Sequence, residues 1–472
     1  MPLIIMKFGG SLVGNERDGL LRVAKLVRSY HTRGNRVIAV VSALGEVTDL
    51  LIQAANSAKS ESLETDELLE RLRKIHGEAL SQLGKKRAAE VAEIHGRLFE
   101  ALQETLRGVS ILRELTPRSK DRVVSFGERL SAPLVKAAIE DAGVGAVALT
   151  GGEAGIITDE AFGEAYPDMR RTIAAAKKAL LPPLSKGTVP VVTGFLARTR
   201  SGDVTTLGRG GSDYTATILA DALRADEVYI WTDVDGIMTA DPRVVPESKV
   251  IKELSYAEAE EMAYFGAKNM HPLALWPARM VGVPVRILNG FKPDLPGTLI
   301  DSNERKGAGV IKSLALVRDV GLLTVSGETL AGRPGTAAMV FTLVGRAGVN
   351  MLMISQSVSE SNISMVVRRS TLERAAKALK TGFAEANVRA DVATEEDLSV
   401  IAAVGAGMKG TPGVAAKVFG VVSRAGVNVK MIAQGSSELN ISFVVPSEDA
   451  TRALRALHSS LVEAVAPRDK PS

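Results

Sequence analysis

The residues best suited to chemistry lie at the start of the chain. An apolar run over 3–6 is followed by the segment Lys7-Phe8-Gly9-Gly10-Ser11, and a helical pattern covers about 16–30. Two adjacent glycines let the backbone turn tightly and approach a ligand, because no Cβ stands in the way. Amides at a helix start favour negative charge, and Lys7 adds a full positive charge. This order predicts a phosphate site, with a simple turn as the alternative.

A second candidate anion site lies over 205–214, which reads TTLGRGGSDY and precedes an Ala-rich helical pattern. Three glycines surround Arg209, whose planar guanidinium can bind a carboxylate or phosphate through two hydrogen bonds. Asp213 is suited to orienting lysine side chains. A purely structural turn is the alternative interpretation of this loop.

Three further segments carry candidate residues. The segment 231–236 reads WTDVDG and runs on to Asp241-Pro242-Arg243. Its acidic spacing is superficially that of a calcium loop, but the glycine follows the second acid directly and no glutamate stands at the required distance, which excludes that site. The segments 125–129 and 264–272 read SFGER and YFGAKNMHP, and each is commonplace when taken alone.

The elements that must position these residues are short apolar runs separated by helical patterns. Such runs predict strands buried on both faces, and the alternation predicts a mainly parallel sheet between helices. Small or polar residues follow the runs, at the edge where open α/β sheets bind ligands. The runs are 3–8, 37–41, 144–149, 189–192, 227–231 and 283–288, and the residues that follow them are Ser42, Thr150-Gly151-Gly152, Thr193-Gly194 and Thr232-Asp233.

A segment of about 50–113 is rich in Ala, Leu, Glu, Lys and Arg with helical apolar spacing, which predicts a helical insertion. It contains His76 and His95. Neither has a second candidate metal ligand four residues further on, so both are predicted to be surface histidines and not ligands.

Beyond residue 310 the chain repeats itself at a constant offset of 78 residues. Each copy predicts a strand, a glycine-bearing loop, a helix, a second strand, a hairpin turn and a third strand, followed by a further helix. The segment of about 290–309 has the composition of an interdomain connection. The predicted division is a domain over 1–300 and small modules over 310–390 and 398–466, with a strand near 310–318 that could pack with the second module.

Composition excludes several classes of protein. The chain has 472 residues, enough for about three domains, and a formal charge of +4 that is too small to indicate a nucleic-acid surface. The absence of cysteine rules out disulfides, thiolate metal sites and a cysteine nucleophile. The sequence shows neither a signal peptide nor an apolar run long enough to span a membrane, so we expect a cytoplasmic protein.

Taken together and in order, the motifs resemble aspartate kinase of the amino-acid kinase superfamily, and the duplicated part is similar to paired ACT modules. The resemblance implies an amino-acid kinase fold followed by two tandem ACT (ferredoxin-like α+β) domains. The length leaves no room for a fused homoserine dehydrogenase, so we expect the monofunctional form. The motifs are MKFGGS, VVSALGEVT, SFGER, GGEAGI, TGF, TTLGRGGSDYTA, WTDVDGI, TADPR and YFGAK with MHP.

The resemblance implies phosphoryl transfer from ATP with Mg²⁺ to the side-chain carboxylate of L-aspartate. This acceptor needs no general base, because an aspartate side chain has a pKa of about 3.9 and is ionised at neutral pH. The implied catalytic residues are Lys7, Asp213 and Lys268. The implied aspartate-binding residues are Ser42, Thr48, Glu128, Arg209, Gly210, Gly211 and Ser212. The implied nucleotide-binding residues are Lys7, Gly9, Gly10, Ser11, Thr232, Asp233, Met238, Arg243, Lys268 and Asn269. Met238 departs from the family pattern, which usually has tyrosine there.

The ACT resemblance also implies feedback regulation by an amino acid, with lysine and threonine as the leading effectors, and assembly into a dimer or tetramer through these modules. Polar residues of the repeat are the implied effector ligands, although they could equally cap turns and pair strands. They are Asn350, Gln356, Asn362, Asn428, Gln434 and Asn440.

The sequence has three alternative interpretations. A nicotinamide dehydrogenase is suggested by the GxGxxG pattern over 405–410, but the next strand ends without an acid for a ribose hydroxyl. Another kinase of the superfamily, acting on glutamate, acetylglutamate or UMP, is a nearer alternative. The third is a catalytically silent amino-acid sensor on the same scaffold.

Overall fold

The computed structural model describes residues 1–14, 18–60, 62, 64–265, 271–304, 310–327, 334–357 and 362–462. These residues fall into two compact units. The first comprises 1–237, 252–256 and 271–303, and the second comprises 238–251, 257–265 and the described residues from 304 onward.

In the first unit, helices separate most of the strands, with the five helices α3 to α7 in succession between β2 and β3, and each small module of the second unit contributes two helices. The strands are β1 (Leu3–Phe8), β2 (Arg36–Val41), β3 (Ala146–Leu149), β4 (Val189–Thr193), β5 (Leu196–Arg198), β6 (Val204–Thr206), β7 (Glu227–Thr232), β8 (Glu253–Ser255), β9 (Val285–Asn289), β10 (Thr298–Asp301), β11 (Ser313–Ser326), β12 (Met351–Gln356), β13 (Asn362–Arg368), β14 (Asp391–Val404), β15 (Met431–Ala433) and β16 (Asn440–Pro446). The helices are α1 (Gly10–Gly14), α2 (Gly19–Thr32), α3 (Val47–Lys59), α4 (Glu64–Leu80), α5 (Lys85–Leu112), α6 (Pro117–Val124), α7 (Phe126–Asp141), α8 (Met169–Ser185), α9 (Gly211–Leu223), α10 (Tyr256–Tyr264), α11 (Pro272–Val281), α12 (Thr336–Arg346), α13 (Arg369–Glu385), α14 (Val414–Arg424) and α15 (Ser447–Leu457).

The first unit is built on a sheet of eight strands in the order β3-β4-β2-β1-β7-β9-β10-β8. Neighbouring strands are parallel except β9 and β10, which are antiparallel, so the predicted mainly parallel sheet is confirmed. The central strand β1 is buried throughout except for partial exposure of Lys7. In its register Lys7 stands opposite Val40 of β2 and Ile230 of β7.

Two boundaries differ from the sequence prediction. The helix predicted over 16–30 begins at Gly19, and the five-residue helix α1 starts at Gly10, directly after β1. The segment 290–309, predicted as a connection, contains β10, which pairs with β9 and β8. Proline and glycine in that segment therefore mark the turn before a strand, and the boundary between the two units follows this strand, at 303/304.

The prediction that His76 and His95 lie on the surface is wrong. Both are buried, and their rings meet edge to face with centroids 5.5 Å apart. His76 Nδ1 lies 2.7 Å from the Leu72 carbonyl oxygen, and His95 Nε2 lies 2.9 Å from that of Leu130. Burial lowers the pKa of His76 to about 4, with the backbone hydrogen bond opposing it, so the ring packs as a neutral side chain.

The second unit contains a six-stranded antiparallel sheet in the order β12-β13-β11-β14-β16-β15. The two repeats share this sheet because β11 and β14 are both long. Residues 313–317 of β11 pair with 400–404 of β14, and residues 320–326 of β11 pair with β13. Helices α12 and α13 cover the core of the first repeat, and α14 and α15 cover that of the second.

Across the described ranges, no helix is both long and apolar enough to cross a lipid bilayer.

Candidate active site

The centre of the site is an ion pair between Lys7 and Asp213. The Lys7 Nζ and an Asp213 Oδ are 2.6 Å apart, and the two side chains are 12% and 8% exposed. Lys7 lies near the carboxyl end of β1, and Asp213 lies in the first turn of α9. A carboxylate placed here holds the ammonium group at the edge of the sheet where ligands bind in folds of this kind.

The backbone beside Lys7 differs in detail from the predicted phosphate site. The Gly9 amide donates to the Trp231 carbonyl at 3.1 Å, so it serves the packing of β1 against β7. At Gly10 a Cβ would lie 2.6 Å from the Ala43 carbonyl oxygen, a distance that excludes any larger residue. Because α1 has only five residues, most of the positive charge at this position comes from Lys7.

The Arg209 loop leads directly into α9. Gly208 and Gly210 have φ angles of 73° and 71°, which only glycine adopts readily, and Gly210 is the residue that precedes the helix. Arg209 stands exposed between them. Gly194, after β4, lies against Ser212, because a Cβ there would be 2.6 Å from the serine side chain.

Phe195 lies in the motif TGF but is not among the predicted site residues. Its φ of 65° is in the left-handed region, which a bulky residue rarely adopts. Its amide donates to Thr215 Oγ1 at 2.9 Å, and its ring fills the space beside Gly211. The strained turn thus fixes the start of α9 against the end of β4.

The carboxyl group of Glu128 is buried and has few hydrogen-bond partners. It is 3% exposed, and one oxygen accepts from the Ala43 amide at 3.2 Å. The other oxygen, Oε2, finds no hydrogen-bond partner in the described part of the chain. Desolvation raises the pKa of Glu128 to about 8, opposed by backbone hydrogen bonds. A group of this kind is suited to receiving a cationic ligand.

The remaining predicted residues of the first unit lie at the same sheet edge or beside it. Ser42 follows β2, and its amide donates to the Phe8 carbonyl at 3.2 Å. Thr48 lies in the first turn of α3. Thr232 ends β7, and its hydroxyl lies 3.1 Å from the carboxylate of the exposed Asp233. Across the described ranges, no group of three or more His, Asp or Glu side chains could hold a metal ion.

Two predicted nucleotide residues lie in the second unit. Met238 is half-buried and forms an antiparallel bridge with Val250. Arg243 is exposed and pairs with Asp241, with Nε 3.0 Å from Oδ1. Lys268 and Asn269, also predicted to bind nucleotide, lie outside the described residues.

The predicted effector ligands occupy corresponding places in the two repeats. Asn362 and Asn440 are the first residues of β13 and β16, and the side-chain amide of Asn440 donates to Glu261 on α10. The other four flank the neighbouring strands. Asn350 and Asn428 precede β12 and β15, Gln356 ends β12, and Gln434 follows β15.

The glycine pattern over 405–410, which resembles a dinucleotide loop, already binds carboxylates of this chain. The Ala406 amide donates to the fully buried Glu258 at 2.8 Å, and the Gly410 amide donates to Glu438 at 2.7 Å. Glu258 also pairs with Lys312 at 2.9 Å. These contacts support the rejection of a nicotinamide site.

Comparison with known proteins agrees with this architecture. The amino acid kinase family model matches residues 2–289, and the ACT domain model matches 323–383 and 401–461. Aspartokinase 2, chloroplastic, of Arabidopsis thaliana is 36% identical over 97% of this chain and 84% of its own length. The chain belongs to the aspartokinase family.

Solved structures of the aspartokinase family agree closely in fold. E. coli aspartokinase III in complex with aspartate and ADP, described as the R-state, has a TM-score of 0.83 at 34% identity, covering 97% of this chain and 99% of the other. The same enzyme in complex with lysine and aspartate, described as the T-state, has a TM-score of 0.78 at 34% identity, covering 98% and 100%. The predicted family and fold class, an amino-acid kinase fold with ACT domains, are confirmed.

Proposed function

We propose that this aspartokinase-family protein transfers the γ-phosphoryl group of MgATP to the side-chain carboxylate of L-aspartate, giving aspartyl 4-phosphate. The observation that carries the proposal is the Lys7 and Asp213 ion pair at the carboxyl edge of the parallel sheet, beside the Arg209 loop. It is supported by the E. coli relative, whose structure holds aspartate and ADP.

The main barrier in such a reaction is repulsion between an anionic nucleophile and a polyanionic phosphate chain. Positioning and fixed positive charge overcome it, since little covalent chemistry falls to the protein. Lys7 neutralises charge on the transferred phosphoryl group, and Asp213 keeps the Lys7 ammonium in place. Gly10 and Ser11 contribute backbone amides. Lys268, Asn269, Thr232, Asp233, Met238 and Arg243 are proposed to bind the nucleotide, with Mg²⁺ entering as part of that substrate.

Aspartate is recognised by its other two charges. Arg209 binds the α-carboxylate through its planar fork, beside Gly210, Gly211 and Ser212. Glu128 binds the α-ammonium group. The positive charge of that group compensates for the burial of the Glu128 carboxylate. Ser42 and Thr48 add hydrogen bonds.

The test is ATP-dependent hydroxamate formation, with aspartate, glutamate and acetylglutamate as acceptors, and ADP release measured in parallel with UMP. We expect hydroxamate with aspartate alone. Product with another acceptor would assign the chain to a different kinase activity, and no ADP release with any acceptor would favour the silent sensor.

Regulation is proposed to reside in the ACT repeats, with lysine or threonine as effector. The E. coli relative has been solved with lysine. Inhibition requires that the effector bind two states unequally, typically with 1 to 3 kcal/mol of coupling. The division into 1–300, 310–390 and 398–466, a dimer or tetramer formed through the repeats, and a cytoplasmic location stay predictions.

A further inference from the structure

Asp121 on α6 is a buried carboxylate with three hydrogen-bond donors. It is 2% exposed. Its Oδ2 accepts from the Gly163 amide at 2.9 Å and from the Thr206 amide at 3.0 Å, and its Oδ1 accepts from Thr206 Oγ1 at 2.8 Å. Burying a carboxylate is costly unless such donors replace its water. The arrangement therefore ties the segment around Gly163 firmly to the end of β6.

These two segments meet at the Arg209 loop. Thr206 is the last residue of β6 and stands three residues before Arg209. Gly163 precedes Glu164, whose Cγ lies 3.1 Å from the position that a Cβ on Gly208 would occupy. The Ala165 amide closes the connection by donating to the Thr206 carbonyl at 2.9 Å. One carboxylate thus holds both the entry to the loop and the segment packed against it.

The backbone of Asp121 connects it to the other side of the proposed aspartate site. Helix α6 ends at Val124, and α7, which begins at Phe126, carries Glu128 in its first turn. The Ser125 amide at this junction donates to the Asp121 backbone carbonyl at 3.0 Å. A shift of Asp121 would therefore move the Arg209 loop relative to Glu128.

We infer that Asp121 is a positioning residue for aspartate recognition, which sets the spacing between the guanidinium of Arg209 and the carboxyl group of Glu128 without touching substrate. The inference rests on the proposed function. It predicts an effect on aspartate and not on ATP, because Lys7 and the nucleotide residues have no hydrogen bond to Asp121 within the described ranges.

The test compares Asp121→Asn with wild type in the hydroxamate assay. Asparagine keeps the shape but is neutral and offers one acceptor oxygen, so its NH2 group must replace either the oxygen that accepts from the two backbone amides or the oxygen that accepts from Thr206 Oγ1. We expect the KM for aspartate to rise about tenfold or more, since hydrogen bonds to a charged group are the stronger kind, and the KM for ATP to stay within about twofold. Asp301→Asn is the matched control, because Asp301 is also buried in the first unit and accepts from the Asn303 amide at 2.9 Å. It should leave both KM values within about twofold.

A second pair of variants covers the case in which Asp121→Asn does not fold. Thr206→Val removes the hydroxyl, with its 2.8 Å bond to Asp121 and its 3.3 Å bond to the Gly163 carbonyl, and Thr206→Ser restores the hydroxyl. A selective rise in aspartate KM with valine, reversed by serine, supports the inference. Unchanged KM values with valine, or equal rises for aspartate and ATP in either Asp121→Asn or Thr206→Val, overturn it. If only the inference fails, the wild-type protein is still active with aspartate. If the proposed function fails, the wild-type protein is inactive with aspartate, so the two failures are distinguishable.

Discussion

The buried carboxyl group of Glu128 predicts a specific dependence of aspartate use on pH. Its pKa is raised to about 8 by desolvation, so the free protein carries it mostly protonated at neutral pH. Only the ionised form can pair with the aspartate ammonium. Because kcat/KM reports the ionisation of the free enzyme, kcat/KM for aspartate should rise with pH as Glu128 loses its proton.

The magnitude follows from the ionised fraction. With a pKa of about 8, that fraction is about 0.01 at pH 6, about 0.09 at pH 7 and about 0.5 at pH 8. We therefore expect kcat/KM to rise about ninefold from pH 6 to 7 and about fivefold from pH 7 to 8, and to level off above that.

The assay is hydroxamate formation at limiting aspartate and saturating ATP, for wild type and Glu128→Gln. The variant should be much less active and should lose the slope. Glu140→Gln is the control, since Glu140 lies at the far end of the same helix, paired with Lys136 at 2.9 Å, and its loss should leave the slope intact. A flat wild-type profile between pH 6 and 8, or a slope retained in Glu128→Gln, would refute the reasoning.

The stability of the fold should change with pH in the opposite direction to kcat/KM. Above pH 4.5 the unfolded chain releases the Glu128 proton while the folded chain keeps it, so this group lowers stability progressively as pH rises toward 8. The penalty is at most about 5 kcal/mol. Glu128→Gln removes it, and thermal unfolding at pH 8 should show a higher Tm for the variant than for wild type.

Three further predictions concern other regions. Met238→Tyr should lower the KM for ATP with little change in kcat, because a tyrosine ring stacks on adenine better than a thioether. Equal KM values for ATP in the variant and wild type would contradict this role of residue 238. Asn362→Ala or Asn440→Ala should weaken inhibition by lysine or threonine, and unaltered inhibition in both variants would defeat the assignment of effector ligands. His76→Phe should make the free energy of unfolding less sensitive to acid. Wild type loses stability as pH falls from about 6.5 to 4, by at most about 3 kcal/mol, because the unfolded chain binds a proton at His76 and the buried neutral ring does not. The pH dependence of Tm measures this, and an identical dependence in the variant would argue against it.

The parallel sheet was predictable from the sequence, because strands buried on both faces leave continuous apolar runs that periodicity detects. The nearness of Lys7 to Asp213 followed from the same logic, since strand ends and helix starts meet at one edge. The repeat predicted the number of small modules. The sequence suggested that a strand near 310–318 could pack with the second module, but it did not reveal that β14 also runs along the first repeat, because pairing between distant strands depends on register and not on composition.

Other features could not be read from single residues. His76 and His95 are buried because α4, α5 and α7 enclose them, and no local pattern distinguishes a histidine that packs against a carbonyl from one in solvent. The Gly9 amide is used by β7, a partner 222 residues away in sequence. Asp121 belongs to none of the motifs named in the sequence, and only its three donors show that it joins Gly163 to Thr206.

The most direct test of the central claim, that a held cation at the sheet edge lets two anions react, is the turnover of Lys7→Ala with saturating aspartate and ATP. If Lys7 acts mainly on the transition state, kcat should fall on the order of a hundredfold or more. Lys25→Ala, which removes a lysine from α2, should leave kcat unchanged. A Lys7→Ala variant with near-normal turnover would contradict the account.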